Sequence, residues 1–302
     1  MNVFVAGATG VLGKSAVAAL VAAGHNVTGV TRTEEKARSL RALGAEVSAV
    51  DIFEPTALTR EIDGHDAVCN FATRIPRATY FFRSAWNENS RLHRDLSRLL
   101  VDAAIQTGAT RYLQHSAAFM YADGGDQWLD EDSTLAMPPH GQALMEAEAN
   151  ARRFTERGGA GIAMRFGFFY GPAAPSARDL ARIGRLGFVP FPGRADAYLP
   201  WIHADDLGTS MVAALSAPAG TYNVCDDQPL TRADLGRALA EASRRKKPLR
   251  TAPAVLTRLM GKRYDYMSRS QRVSNARFKE VAGWSPTFPS SLRSWPSVTS
   301  RL

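Results

Sequence analysis

The chain has 302 residues, of which 45% are hydrophobic and 22% charged, the proportions of an ordinary globular protein with a sizeable core and no fibrous or low-complexity character. Its formal net charge of +8 comes from scattered basic residues that are mostly arginine, so no nucleic-acid partner is expected. No stretch approaches ~18 consecutive apolar residues and the N-terminus runs straight into a strand pattern, so neither a membrane partner nor an export leader is expected, and the location read from the sequence is cytoplasmic.

The first apolar run begins at Val3 and meets three glycines in Gly7-Ala-Thr-Gly10-Val-Leu-Gly13, followed by a helical segment, Lys14 to Ala23. Strand, tight turn and helix in that order bring unpaired backbone N–H groups and the positive end of a helix dipole together, an arrangement that receives a pyrophosphate. A second strand, Asn26 to Thr31, completes a βαβ unit of dinucleotide-binding size. The residues expected at the nucleotide there are Gly7, Thr9, Gly10, Val11, Leu12 and Gly13. Thr31-Arg32 then stands where an acidic residue would take the ribose hydroxyls of NAD. A neutral residue followed by Arg32 suits a 2′-phosphate, so NADP is favoured over NAD.

Strands Glu46 to Val50 and Ala67 to Phe71 deliver Asp51-Ile52 and Phe71-Ala72-Thr73 to the carboxyl edge of a parallel sheet, where ligands bind. A long amphipathic helix from Ser84 to Gln106 precedes strand Arg111 to Ser116. The acidic excursion Ala122 to Pro139 is too long for a plain connection and is read as a rim of the active site. A helix from Ala143 to Arg157 then leads to strand Gly161 to Phe166. The alternation predicts an α/β protein with a doubly wound parallel-sheet Rossmann fold, over residues 1–172 plus 200–227. Residues 173–199 plus 228–302 are expected to form a small substrate-capping region, with helices at Ala177 to Leu186, Thr231 to Ser243 and Ala276 to Ala282. Cys69 and Cys225 show no metal-ligand spacing and are read as buried free thiols, His115 and His203 as structural, and no metal site is expected. The run Arg244-Arg-Lys-Lys247 reads as a solvated helix end.

With these motifs in place the chain resembles an extended short-chain dehydrogenase/reductase of the NAD-dependent epimerase/dehydratase type. The resemblance rests on Gly7-Ala-Thr-Gly-Val-Leu-Gly13, Asn70-Phe-Ala72, Asn89, Arg165-Phe-Gly-Phe-Phe-Tyr-Gly-Pro172, and Trp201-Ile-His-Ala-Asp-Asp206 with Tyr222-Asn-Val224. It implies a bound nicotinamide dinucleotide, with Ser116 and Phe166 added to the cofactor contacts. It also implies proton chemistry on a Tyr and a Lys four residues later, where the Lys binds the ribose and lowers the phenol pKa. Here the sequence departs. Where Tyr-x-x-x-Lys-x-x-x-Glu is expected, the chain reads His140-Gly-Gln-Ala-Leu144-Met-Glu-Ala-Glu148, and the expected Ser is Ala117. None of the eight tyrosines has a Lys at the fourth following position, and no Lys occurs between Lys36 and Lys246.

Phe168 stands where sugar-nucleotide members carry Asn, and a phenyl ring cannot hydrogen-bond a sugar. With Phe119, Trp128 and Phe169 it suggests an apolar substrate pocket. The first reading of function is an NADP-dependent oxidoreductase or epimerase-like enzyme acting on a small, rather apolar carbonyl or hydroxyl substrate, with His140 or Tyr121 as proton donor. A nucleotide-binding protein without redox turnover and a non-redox isomerase or cyclase reusing the pocket are the alternatives. A homodimer is the candidate assembly.

Overall fold

The computed structural model describes residues 1–76, 83–138, 141–174, 179–180, 184, 187–189, 191–242, 245–251, 266–292 and 295. Strand β1 (Asn2–Ala6) lies inside a seven-stranded sheet, between β4 (Ala67–Asn70) on one side and β2 (Asn26–Val30) with β3 (Glu46–Ser48) on the other. Beyond β4 the sheet continues through β5 (Arg111–Ala117), β7 (Ala160–Phe166) and β12 (Gly220–Val224). The pairings from β3 through β2, β1 and β4 to β5 are parallel. Parallel neighbours require crossovers, supplied here by α1 (Val11–Ala22), α2 (Glu34–Arg41), α3 (Pro55–Ile62) and α5 (Ser97–Thr107). This is the doubly wound α/β Rossmann arrangement that the alternation of elements predicts.

Sequence explains the elements locally. Val3, Phe4, Val5 and Ala6 are all fully buried, as a strand covered on both faces must be. Glu54 caps α3 by accepting from Thr56 N and Ala57 N, Pro55 opens that helix, and Gly108 closes α5 in the left-handed region at φ 76°.

Two compact units divide the chain: Met1–Ser116 with His140–Met164 and Leu207–Tyr222, and Ala117–Pro139 with Arg165–Asp206 and Asn223–Leu302. The first holds β1 to β4 and a core built on Phe4, Leu58, Val68, Leu100 and Phe154. The second has its own aromatic core, in which Trp201 packs edge-on to Tyr170, Phe191 and Trp295. Short ladders frame it: β8 (Phe168–Tyr170) on β11 (Trp201–His203), β6 (Trp128–Leu129) on β15 (Arg272–Val273), and β10 (Tyr198–Leu199) on β13 (Leu230–Thr231). Residues 122–138 of the excursion belong to this unit, with Ala122 N donating to Thr134 O, Ala136 N to Met120 O and Gly124 N to Ser270 O. The expected helix Ala177 to Leu186 falls largely outside the described residues.

The helix expected from Ser84 to Gln106 is not regular. A π-turn, Leu92–Leu96, separates α4 (Asn87–Arg91) from α5. Three polar residues at four-residue spacing, Asn89, His93 and Ser97, lie on its buried face. His93 stacks on His115 of β5 at 5.8 Å between ring centroids. Apolar periodicity runs through this stretch without a break, which is why it reads as one helix. Burial holds both imidazoles neutral, His93 down to about 3 with His115 contributing, and His115 down to about 4.

Two tests follow from this architecture. Both imidazoles have folded values below the unfolded one, so the unfolded chain takes up protons first as pH falls through about 6.5, and stability present above that pH is lost below it. Urea unfolding at pH 7 and pH 5 is expected to show a loss of up to about 2 kcal/mol for each histidine, and His93→Leu to flatten the dependence; an unchanged slope in the variant refutes the assignment. The second test separates the glycines of the first turn. A Cβ on Gly13 would lie 2.1 Å from Gly7 O, whereas on Gly10 it would meet Gly7 O at 3.5 Å, an ordinary contact. Gly13→Ala is therefore expected to cost at least about 2 kcal/mol in urea unfolding and Gly10→Ala no more than about 1.

Candidate functional site

At the end of β1 the main chain turns at Gly7, whose φ is 84° and whose added Cβ would sit 2.5 Å from Ala72 N and Phe71 C. The turn after β1 thus lies directly against the backbone leaving β4. Gly10 N donates to Gly7 O at 3.1 Å, and α1 starts with Gly10 as its N-cap. No side chain caps that helix, no acidic residue sits in its first turn, and a Cβ added at Gly10 would meet only Gly7 O, at 3.5 Å. Gly7 and Gly13 are glycines because the fold leaves no room; Gly10 has room that the protein does not fill. Unfilled space beside uncapped N–H groups fits a dinucleotide phosphate. Thr9 and Val11 are partly buried beside the turn and Leu12 is buried beneath it.

The strand ends of the first unit arrive at the same edge. Thr31 is buried and bonds through its N–H to Ser48 O, leaving Arg32 exposed and without an ion pair among the described residues. After β3, Asp51 accepts from Phe53 N at 3.0 Å, which fixes the turn carrying the half-buried Ile52, and the Arg91 guanidinium lies 3.7 Å over the Phe53 ring. Beyond β4, Phe71 and Ala72 are buried and Thr73 is exposed. The sequence reading did not anticipate what holds this last segment. Asn70 donates to Gln114 Oε1 and accepts from Ala72 N, Tyr112 donates to the same Gln114 oxygen at 2.7 Å, and Asn89 Oδ1 accepts from Arg74 N at 2.8 Å. The only signal for this network was polar side chains at positions that otherwise read as core.

Ser116 at the end of β5 donates to Glu148 Oε1 at 2.6 Å, and both residues are fully buried. Its hydroxyl proton is therefore committed within the protein. Glu148 lies on α6 (Gln142–Glu156), which also carries Leu144, buried with 4% of its surface exposed. His140 lies outside the described residues.

In the second unit Tyr121 is fully buried, and its hydroxyl donates to Asn223 Oδ1 at 2.7 Å while accepting from Arg165 Nη1 at 3.0 Å. Arg165 also donates to Glu131 O, Glu131 Oε1 accepts from Asn223 N at 2.8 Å, and Arg277 pairs with Glu131 at 3.3 Å. Burial raises the Tyr121 phenol to about 12 against the opposing pull of Arg165, and burial likewise lifts the Glu131 carboxyl above the usual carboxylate range. A phenol so placed ties excursion 122–139 to β7 and β12 and has no free proton at neutral pH.

The aromatic residues expected to line a pocket are only partly brought together. Phe119 stacks on Phe168 at 6.2 Å and 18°, and Phe166 meets Phe169 edge-on at 5.7 Å. Trp128 is elsewhere: half its surface is exposed and the Arg272 guanidinium covers its ring at 4.2 Å. His203 is structural, its Nδ1 accepting from Asp205 N and its ring lying 3.7 Å from that of Phe288, while Gly171 at φ 113° leaves space for it. Both cysteines are buried, with their thiols pushed up. Among the described residues no cluster of three or more His, Cys, Asp or Glu is placed to hold a metal ion, and no helix is long and apolar enough to cross a membrane.

Comparison with known proteins agrees with this geometry. The chain is 32% identical over 309 residues to a 3-diazoavenalumate denitrifying reductase of Streptomyces sp, covering 96% of this chain and 97% of that one. It is 24% identical over 249 residues to an NAD(P)H azoreductase of Xenophilus azovorans, covering 80% and 74%. The human epimerase family protein SDR39U1 (isoform 2), solved with NADPH, shares the fold at a TM-score of 0.79 and 21% identity over the whole of both chains. Residues 3–225 match the NAD dependent epimerase/dehydratase family. The chain belongs to that family and is an NAD(P)-dependent oxidoreductase or epimerase on an extended short-chain dehydrogenase fold.

Proposed function

We propose that this protein is an NADPH-dependent reductase that gives a hydride to a small, largely apolar aromatic acceptor whose reduction develops no alkoxide. The observation that carries the reading is the replacement of the family's proton machinery. On the resemblance, His140 and Leu144 fall where the family carries Tyr and Lys, and Ala117 where it carries Ser. Leu144 and Ala117 are buried apolar residues, and Tyr121 has both its hydrogen bonds and its proton engaged inside the second unit. No lysine stands at position 144 to lower a phenol, and burial holds the Tyr121 phenol up at about 12 despite Arg165, so a carbonyl reduction that must protonate an oxyanion lacks its usual acid.

When bound, the nicotinamide cofactor supplies the hydride. The chain binds and orients: the uncapped start of α1 at Gly10 takes the pyrophosphate, Arg32 takes a 2′-phosphate, and the stacked rings of Phe119 and Phe168 offer the acceptor an apolar face. The names of the relatives support the choice of acceptor, since one removes nitrogen from a diazo compound and another reduces an azo bond. An aryl diazonium is already a cation. Hydride addition at its terminal nitrogen neutralises it to an aryl diazene, which expels dinitrogen as the N–H hydrogen passes to the ring carbon, so one hydride and one diazonium give one arene and one N₂. No acid is consumed.

The assay follows NADPH absorbance with benzenediazonium and, separately, with an aryl ketone. Consumption with the diazonium that survives His140→Phe is the expected result. Consumption with the ketone alone, lost about 10²- to 10⁴-fold in His140→Phe, overturns the reading in favour of His140 as a general acid on a carbonyl. No consumption with either leaves a nucleotide-binding protein without redox turnover. Calorimetry tests the cofactor preference independently: NADPH is expected to bind about ten- to a hundredfold more tightly than NADH, with Arg32→Ala removing the difference and Gly10→Val abolishing both while the apo protein keeps its melting temperature. Equal affinities in the wild type refute the role of Arg32.

A further inference from the structure

The second unit contains a buried carboxyl that nothing described so far uses. Asp226, two residues beyond β12, has 1% of its surface exposed. Its N–H donates to Trp201 O at 2.7 Å and its Oδ2 accepts from Ser291 N at 3.1 Å, while Oδ1 has no hydrogen-bond partner. No cation pairs with it among the described residues. Lys279 is committed to Asp227 at 2.9 Å, and Arg277 to Glu131 and Asp132. The charged groups that act on Asp226 are both acidic: Asp227, and Asp206. Burial pushes the Asp226 carboxyl well above the usual carboxylate range, those two charges add to the rise, and Ser291 opposes it. The neighbouring Cys225 thiol is pushed up as well and brings no charge to offset it.

The partners of these carboxyls fall on one stretch of chain. Asp206 accepts from Thr287 N at 2.8 Å and from Phe288 N at 3.0 Å, Gln228 N donates to Pro289 O at 3.0 Å, and Asp226 takes Ser291. The Phe288 ring lies 3.7 Å from that of His203. Beyond them Trp295 lies 5.5 Å from the Tyr170 ring and 5.9 Å from the Trp201 ring, and Trp201 in turn is 5.6 Å from Phe168. Residues 287–292 are therefore bound at one end by a carboxylate with donors on both oxygens and at the other by a carboxyl with a donor on one. Ionised, Asp226 would be a buried charge with a single donor, no cation and two like charges acting on it. Opening the Ser291 end hydrates it.

We propose that residues 287–292 form a strap that closes over Asp226 in its neutral form and opens from the Ser291 end when this carboxyl ionises, with Trp295 carrying the change to Tyr170 and Trp201. The strap does not depend on the reductase reading, and bears on it only because Trp201 also packs against Phe168. Asp226 holds its proton more tightly with the strap closed, so closure is strongest at low pH. It weakens by up to about tenfold per pH unit above the ordinary carboxylate value of ~3.9, until the closed-state value is passed. His203, at the Phe288 end, acts with the opposite sign. Burial holds its imidazole below the ordinary value against Asp205 and Asp206, so it would loosen the strap as pH falls through about 6.5.

The test is hydrogen exchange on the whole chain between pH 5 and pH 8, corrected for the intrinsic exchange rate and read by mass spectrometry on peptides covering 284–295, β8 and, as an internal reference, β1. Protection of 284–295 and of β8 is expected to fall at least about tenfold from pH 5 to pH 8 while β1 holds. Asp226→Asn, which keeps the acceptor for Ser291 N and cannot ionise, is expected to keep the low-pH protection throughout, and Asp227→Asn, which removes a like charge, to make the fall smaller. A flat wild-type profile overturns the proposal without any variant. Protection that rises with pH does so too, because His203 then governs the strap. A fall in Asp226→Asn equal to that of the wild type removes the carboxyl from the argument, and a strap that opens while β8 keeps its protection removes the link through Trp295. Should Asp226→Asn fail to fold, the carboxyl ¹³C resonance of Asp226 in the wild type decides: it is expected to titrate above the ordinary carboxylate range, and titration at the ordinary value overturns the proposal.

Discussion

Steric exclusion at one point of main chain organises the first unit. The turn after β1 and the backbone leaving β4 approach so closely at Gly7 that a Cβ would overlap Ala72 N and Phe71 C. The start of α1 is pressed just as tightly onto the same turn at Gly13. These two contacts fix the direction in which α1 leaves the sheet. The polar bonds of Asn70, Gln114 and Tyr112 then fix the end of β4 that the turn rests on. Everything at the carboxyl edge of this unit is positioned relative to that contact, and the open space at Gly10 is what remains once the contact is made.

The second unit is organised by different forces. Charge and hydrogen bonding inside a low-dielectric interior link Tyr121, Asn223, Arg165, Glu131 and Arg277 into one network. One buried donor of this network, Asn223 Nδ2, has no hydrogen-bond partner. Residues 122–138 of the excursion, which from its length and composition reads as a rim of the active site, are pinned at Glu131 and by the β6 pairing to β15. Any selectivity it confers comes from fixed shape.

The Rossmann arrangement was legible because its signals are local: three glycines at fixed offsets, buried strands without polar interruption, and helices between them. The π-turn was not, because Leu92, Leu96 and Leu100 keep an apolar rhythm that a single extra residue per turn does not disturb. Tyr121 attracted a catalytic reading for its position after β5, yet its role is decided by Asn223, about a hundred residues further on, and by Arg165. Trp128 and Phe119 look alike in sequence and part company in space, one under Arg272 and the other on Phe168. What the sequence hides is long-range pairing, and the candidate site is made of it.

At Gly10 the only atom near an added Cβ is a main-chain oxygen, that of Gly7, and no side chain caps the helix that starts there. A grip made of backbone does not erode when neighbouring side chains drift, so acid–base side chains elsewhere in a fold of this kind can change without loosening the hold on a dinucleotide phosphate. In this fold the loss of familiar reactive groups is therefore poor grounds for declaring a protein inert. It marks a scaffold on which cofactor binding and acid–base chemistry evolve as separate traits.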